Sequence, residues 1–429
     1  MFILRYGSQG PRVEQLQLAL SRTHTYQGNI DGIFGWRTRD AVFHFQRMHG
    51  LLPDGVVGEQ TWAAILPYLR GYQLHTIRPG DTVSRIAGEY DTTAQSILQA
   101  NPGLDVYNLT IGEMLAVPLH FPIVPTNIAF TSDVLDMVID GLLVRYPFLQ
   151  DEIIGQSVLG TDIYAISIGD GETEVFYNAS HHANEWITTP VLMQFLEEYA
   201  QAVQEKGRIR GYAAEELFHA TTLYVVPMVN PDGVDLVTGV WGEDEKPYRR
   251  AAAIAAHYPQ IPFPRGWKAN LAGVDLNLNY PAEWEQAREI KFALGYTTPA
   301  PMYYVGAAPL SQPETRALNA FTLRHDFALT ISYHTQGEVI YWKFLDYNPV
   351  GSYEIAQQFA AVSGYAAEQT PYASGFAGYK DWFIQTYNRP GYTIEAGYGV
   401  SPLPLRQFPT IYRDNIGILV LGIALAAKR

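Results

Sequence analysis

Among the eleven histidines of the chain, His182 alone is followed three residues later by a glutamate, Glu185. An imidazole nitrogen and a carboxylate so spaced in a loop can reach one zinc ion together. The pair alone is weakly specific, because a loop histidine beside a helix-start glutamate has the same spacing. Two later residues support it. His334 ends the apolar run Leu329-Thr330-Ile331-Ser332-Tyr333, and Glu395 ends Tyr392-Thr393-Ile394. Two histidines and a glutamate leave a fourth zinc position open, the pattern of a catalytic site rather than a closed structural one. A further glutamate near a water there can take its proton. The expected chemistry is metal-assisted hydrolysis.

These groups need a scaffold that brings them together. Val175 to Tyr177 leads into Ser180-His181-His182-Ala183-Asn184-Glu185-Trp186, and the helical run Pro190 to Tyr199 leads out, with Thr188 or Thr189 available as N-cap. Beyond residue 126, β-like runs alternate with helical ones, which predicts an α/β domain. Candidate strands are 162–168, 175–178, 222–227, 328–333 and 391–394. Candidate helices are 132–146, 190–204 and 312–325. In open α/β sheets functional groups gather beyond the carboxyl ends of strands, so three such ends can meet in one crevice.

The first 120 residues differ in kind. Asp31-Gly32-Ile33-Phe34-Gly35 followed by Thr38 is repeated 23 residues later as Asp54-Gly55-Val56-Val57-Gly58 followed by Thr61. Each copy reads as a glycine turn before a helix, and Val13-Leu16-Leu20 supplies an earlier helix. Residues 1–70 are thus expected to form a small helical bundle, whose His24, His44 and His49 are core or surface residues and not ligands. Residues 71–120 read as strand, helix, helix, strand, with Pro79-Gly80-Asp81-Thr82 and Asn101-Pro102-Gly103 as punctuation. Phe121-Pro122-Ile123-Val124-Pro125-Thr126 reads as a proline-rich linker to a third domain, 121–429.

Composition sets outer limits. The net charge of −14 argues against broad nucleic-acid binding, and 47% hydrophobic residues over 429 positions suffice for a sizeable core. The absence of cysteine removes disulfides, thiolate ligands and a cysteine nucleophile. The N-terminus lacks a signal peptide's basic start and apolar core, and the run Ile416 to Ala427 is too short to span a bilayer. The expectation is a soluble cytoplasmic protein with no membrane partner, leaving the cell, if at all, by non-classical release.

Three resemblances follow. The residues Gly10-x-x-Val13-x-x-Leu16-Gln17, Asp31-Gly32-x-Phe34-Gly35, Phe45-Gln46 and Asp54-Gly55-x-x-Gly58-x-x-Thr61-Trp62 resemble the peptidoglycan-binding domain of bacterial wall hydrolases. His75-Thr76-Ile77-Arg78-Pro79-Gly80-Asp81-Thr82, Ile86-Ala87, Asn101-Pro102 and Ile111-Gly112-x-x-Leu115-x-Val117-Pro118 resemble a LysM module, which implies binding of N-acetylglucosamine-containing glycan strands. From about residue 125 onward the chain resembles the zinc carboxypeptidase family, through His182-Ala183-Asn184-Glu185-Trp186, Asn230-Pro231-Asp232-Gly233, Gly273-Val274-Asp275-Leu276-Asn277-Leu278-Asn279, His334 and Glu395. The resemblance implies a large α/β domain with a mixed β-sheet flanked by helices. It also implies one Zn2+ per chain on His182, Glu185 and His334, Glu395 as the catalytic glutamate, and Asn277 among the substrate-binding residues.

The departures from the family bear on substrate. Lys268 follows Trp267 where the family has a carbonyl-polarising arginine, so Lys268, or the nearby Arg265, is expected to serve. Leu278 stands where the usual carboxypeptidases grip a terminal carboxylate with arginine, so a bidentate clamp is missing. Tyr372 lies in a loop similar to the one bearing the family's substrate tyrosine. Lys380 falls where specificity is set and suits a carboxylate-bearing group; a solvated surface lysine is the other reading. The full architecture resembles bacterial γ-D-glutamyl-meso-diaminopimelate peptidases, which implies muropeptide stem peptides as substrates. A conventional metallocarboxypeptidase and a non-catalytic wall-binding protein are the alternatives.

Overall fold

Each copy of the aspartate-glycine repeat closes around a buried glutamine. In the computed structural model, which describes residues 3–428, Gln17 donates to Asp31 Oδ1 (2.8 Å) and Thr38 Oγ1 (3.1 Å) and accepts from the Asp31 and Gly32 N–H groups, both at 3.0 Å. Gln46 repeats the pattern with Asp54 (2.9 Å), Thr61 (3.1 Å) and the Gly55 N–H (2.9 Å). Glycine is required at both turns, since Gly32 and Gly55 have φ of 68° and 71°. The turns connect the helices Pro11–Arg22, Trp36–Met48 and Glu59–Arg70. Met1 and Phe2, part of the N-terminal reading, lie outside the described residues.

The next segment pairs β1 (Tyr72–Thr76) antiparallel with β2 (Met114–Pro118) over the helices Val83–Glu89 and Ala94–Ala100. Thr82 and Thr93 cap these helices, accepting from Arg85 N and Ser96 N. Ile77, Val83, Ile86, Ile97, Leu115 and Val117 form its core. The stretch 121–126 is no free linker. Ile123 and Val124 are buried, and their neighbourhood is held by two arginines. Arg22 donates to the Pro122 and Ile123 carbonyls at 2.7 and 3.0 Å, and Arg145 donates to the Phe121 and Leu119 carbonyls, both at 2.8 Å. Proline composition suggested a spacer, but the freed carbonyls found charged donors. With the helix Ser132–Arg145, these segments form one compact unit that ends at Leu149.

The second unit starts at Gln150. Its strands are β3 (Gln150–Gln156), β4 (Asp162–Ile168), β5 (Thr173–Ala179), the hairpin β6 (Arg208–Ile209) and β7 (Tyr212–Ala213), β8 (Thr221–Val226), β9 (Leu329–His334), β10 (Val339–Tyr341), β11 (Ala366–Glu368) and β12 (Gly391–Glu395). Among the described residues, eight of them make one mixed sheet in the order β11-β10-β12-β9-β5-β8-β4-β3. The central strands β12, β9, β5 and β8 are parallel, β4 and β3 run against their neighbours, and β10 runs against β12 but parallel to the edge strand β11. Both faces of the parallel centre are covered: β9 is buried at every position, although Thr330 and Ser332 alternate with Leu329, Ile331 and Tyr333. The edge strand β3 escaped the sequence reading because Gln150-Asp151-Glu152 is polar and mostly exposed.

The C-terminal helix Phe408–Ala426 covers one face. Tyr177 of β5 donates to the Leu419 carbonyl at 2.7 Å. A Cβ on Gly422 would lie 2.2 Å from that hydroxyl, so glycine lets the helix approach the strand. With the preceding turn, Leu405–Ala426 is long and apolar enough to cross a membrane by length and composition, longer than the run 416–427 suggested. Within the most apolar window, 67% is buried inside the protein, so packing on the sheet accounts for its apolarity.

Candidate active site

The loop after β5 is held from several sides. Ser180 sits at φ 53°, a region that costs a non-glycine residue about 1–3 kcal/mol and needs surrounding support. Thr188 provides some of it, accepting from the Ser180 N–H at 3.2 Å and donating to the Glu185 carbonyl at 2.7 Å. Thr189 donates to the Pro227 carbonyl at 2.7 Å. The expected threonine N-cap is therefore not made. The helix starts at Thr188 itself, and both hydroxyls are spent on the loop. Asn230 caps the helix Pro231–Thr238 and donates to the His181 and Ala269 carbonyls at 3.2 and 3.1 Å. Asp232 accepts from Leu159 N and Thr161 Oγ1, both at 2.8 Å. A Cβ on Gly233 would lie 2.8 Å from Ala183 Cβ, so the capped helix can press against the loop bearing His182 and Glu185 only with glycine there. The motif Asn230-Pro231-Asp232-Gly233 thus positions chemistry without performing it.

Three parallel neighbours then deliver the groups. In register, Glu395 of β12 pairs with His334 of β9, and Tyr333 pairs with Ala179 of β5. Glu185 Oε2 lies 3.0 Å from His182 Nδ1 and 2.9 Å from His334 Nδ1, and the two Nδ1 atoms are 3.2 Å apart. His182, Glu185 and His334 form the group whose ligand atoms all lie within 4.8 Å of one another. Two imidazole nitrogens and a carboxylate oxygen thus converge on one point, where a single cation could accept a lone pair from each. The other nitrogen of His182 is committed, since Nε2–H donates to Asp275 Oδ1 at 3.1 Å, which turns the Nδ1 lone pair inward. The donor set fits a zinc ion with an open position.

Asp275 was legible only as part of a motif, and its role as orienter of His182 appears in three dimensions. Burial opposes its charge, but His182 and Lys268 hold its carboxyl down at about 2. Its Oδ2 accepts from the Tyr303 N–H at 3.1 Å, fixing the carboxylate from behind. Asp275→Asn is expected to lower metal affinity or activity roughly 10–100-fold, the usual effect of removing an outer partner of a metal-bound histidine. Competition with a zinc chelator followed by activity measurement checks this; unchanged zinc affinity and rate would refute it. His181 is a second unforeseen neighbour. It is fully buried, its Nε2 lies 3.1 Å from Tyr280 Oη, and its ring centroid is 5.7 Å from that of His334. Burial pushes its pKa well below the usual histidine value, so it backs the site as a neutral ring.

Of the two candidate cations, Lys268 is inside the site and Arg265 is exposed with no described contact there. Lys268 Nζ lies 3.0 Å from Glu185 Oε1. Burial works against its charge, yet Glu185, Asp275 and Glu395 outweigh that and keep the ammonium protonated. Glu395 is pushed up to about 8, first by burial and then by the Glu185 carboxylate. A carboxyl so poised can both take and return a proton near neutral pH.

The remaining candidates make contacts of their own, outside the His182–Glu185–His334 group. Asn277 Oδ1 accepts from the Tyr379 N–H at 3.0 Å, so its orientation is fixed. Leu278 is buried in the apolar core and carries no polar group toward a substrate carboxylate. Tyr372 is 67% exposed and its ring stands edge-on to Phe376. Lys380 is not a surface lysine: it is buried, paired with Asp381 and donating to the Lys343 carbonyl at 2.9 Å. Lys291 escaped the sequence reading, since nothing marks a lysine in the helix Trp284–Ala293. It is buried, donates to the Ala373 carbonyl at 2.8 Å and thereby holds the turn that bears Tyr372.

This fold and site match known proteins. A zinc carboxypeptidase profile matches residues 135–416, a putative peptidoglycan binding domain matches 9–65 and a LysM domain matches 75–118. The chain belongs to the zinc carboxypeptidase family, and membership implies zinc and peptide-bond hydrolysis. It is 46% identical to gamma-D-glutamyl-L-diamino acid endopeptidase 1 of Lysinibacillus sphaericus over 287 residues, 67% of this chain and 70% of that one. It is 36% identical to the uncharacterized protein YqgT of Bacillus subtilis over 68% of this chain and 76% of the other. Bovine thrombin-activatable fibrinolysis inhibitor, solved with a tick carboxypeptidase inhibitor, shares the fold at TM-score 0.52 and 17% identity, covering 70% of this chain and 97% of that one.

Proposed function

We propose that the protein hydrolyses peptidoglycan stem peptides at the bond between γ-D-glutamate and meso-diaminopimelate. The observation that carries this reading is the 46% identity to an enzyme named for cleaving γ-D-glutamyl bonds to diamino acids. Burial of Leu278 at the position of the carboxylate clamp supports it, because a conventional carboxypeptidase needs that charge. The two N-terminal matches supply a reason for the wall as target: glycan-binding modules raise the local concentration of stem peptides.

His182, Glu185 and His334 would hold one zinc per chain. When bound, zinc supplies Lewis acidity toward a carbonyl oxygen and a water molecule. Glu395 accepts the proton of the attacking water and returns it to the amine as the C–N bond breaks, so acid and base are the same group at different moments. Lys268 directs positive charge at the oxygen on which negative charge develops. Asn277 and Tyr372 support the substrate side in this reading, with Arg265 as the rival cation to Lys268; Lys380, expected to meet a substrate carboxylate, is instead committed to Asp381 and the Lys343 carbonyl. Lys268→Met is expected to lower turnover by roughly 10²–10³-fold, the range for removing one such stabilising group. Arg265→Met should retain wild-type turnover. A large loss in the arginine variant with none in the lysine variant would move the role to Arg265.

The substrate assignment is tested by incubating the zinc-loaded protein with L-alanyl-γ-D-glutamyl-meso-diaminopimelate and weighing the products. Release of L-alanyl-D-glutamate is expected, and a version amidated at its C-terminal carboxyl should also be cut. Trimming of ordinary free-acid peptides with the γ-D-glutamyl bond left intact would establish a conventional carboxypeptidase instead.

A further inference from the structure

The two copies of the N-terminal repeat diverge in the residues that face solvent. At the offset of 23, Trp36, Arg37 and Asp40 of the first copy correspond to Glu59, Gln60 and Ala63 of the second. The buried residues of each turn are alike, so packing does not explain the tryptophan. Trp36 is 59% exposed, and the Arg37 guanidinium lies 5.2 Å from its ring centroid. Beside them is a groove of about 340 Å³ lined by Thr25, Tyr26, Gln27, Trp36, Arg37 and Asp40. Its floor is fixed. The Tyr26 hydroxyl donates to the Asn29 carbonyl at 2.7 Å and accepts from Gln17 Nε2 at 3.2 Å, so the turn that holds the repeat also holds the groove. Its lip at Gly28 tolerates no side chain, because a Cβ there would lie 2.5 Å from Tyr26 Oη.

We propose that this groove binds a pyranose ring of the wall glycan, with Trp36 as the stacking face and Arg37, Asp40, Gln27 and Thr25 as the polar rim. An exposed aromatic ring offers an apolar plate for the C–H face of a sugar, and the rim meets its hydroxyl and acetamido groups. The opposite charges of Arg37 and Asp40 suit a neutral, hydroxyl-rich ligand better than a strongly charged one. The assignment rests on the reading that the wall is the target, and it adds which copy of the repeat makes the contact.

The test uses the full chain labelled with ¹⁵N at tryptophan. The Trp36 indole N–H is assigned by its loss in Trp36→Phe. Soluble chitotetraose and peptide-free glycan strands are titrated in, and co-sedimentation with purified insoluble peptidoglycan is measured in parallel. A selective, saturable shift of the Trp36 signal by the glycan, and at least a three-fold weaker co-sedimentation of Trp36→Ala than of wild type at unchanged hydrolysis of the soluble stem peptide, are expected. An unmoved Trp36 signal in a chain that still sediments and still cuts the stem peptide would overturn the groove while leaving the proposed activity standing. Failure to sediment and failure to cut would overturn the wall reading itself.

Discussion

Replacing His334 with alanine is expected to abolish most zinc binding and with it hydrolysis, leaving the fold intact. His334 stands at the end of β9, its Nδ1 2.9 Å from Glu185 and 3.2 Å from His182, and its ring is stacked on that of His181 with centroids 5.7 Å apart. Removing it leaves two donors where a catalytic site needs three. Loss of an outer partner alone typically costs roughly 10–100-fold in metal affinity, and loss of a direct ligand should exceed that. The strand it ends is buried throughout and paired on both sides, so the sheet does not depend on the imidazole. Metal content by plasma emission, set beside far-ultraviolet circular dichroism, decides the matter. Full occupancy in a folded variant would remove His334 from the donor set.

Glu395→Gln should give the second large effect in the opposite pattern, with metal retained and turnover lost. Glutamine keeps the size of the side chain and its carbonyl oxygen but accepts no proton. Positioned acid–base groups contribute roughly 10²–10⁴-fold, and a loss of that order in turnover is expected with substrate affinity little changed. Glu395 is not among the three converging donors, which is why metal content should survive. Wild-type turnover in this variant would mean that some other group handles the proton.

How much of this was legible in the sequence follows from the kind of interaction involved. His182 with Glu185, His334 and Glu395 could be found because each sits where an apolar run ends, and strand ends are visible one strand at a time. Lys380 could not be judged, since its burial depends on Asp381 and the carbonyl of Lys343, a residue far away in the chain. The role of Asp275 and the presence of Lys291 were missed for the same reason. Their partners, His182 and the Ala373 carbonyl, lie many residues away and leave no local periodicity. The stretch 121–126 misled because composition registers proline stiffness and is blind to Arg22 and Arg145 closing on its carbonyls.

The amino-acid sequence by itself indicated the three kinds of module, the candidate donor residues and the absence of an arginine at Leu278. The candidate donors rest on local patterns, the apolar runs that end at them, whereas the module kinds and the clamp position rest on the resemblance of short motifs to known families. Only the tertiary structure decided that β12, β9 and β5 are parallel neighbours, which places Glu395, His334 and the His182 loop at adjacent carboxyl ends. It also decided which nitrogen of His182 faces the other donors, through Asp275, and that Lys268 rather than Arg265 reaches Glu185. Strand order and hydrogen-bond direction are set by contacts distant in sequence, where side-chain shape and burial choose among pairings that local propensity leaves equal.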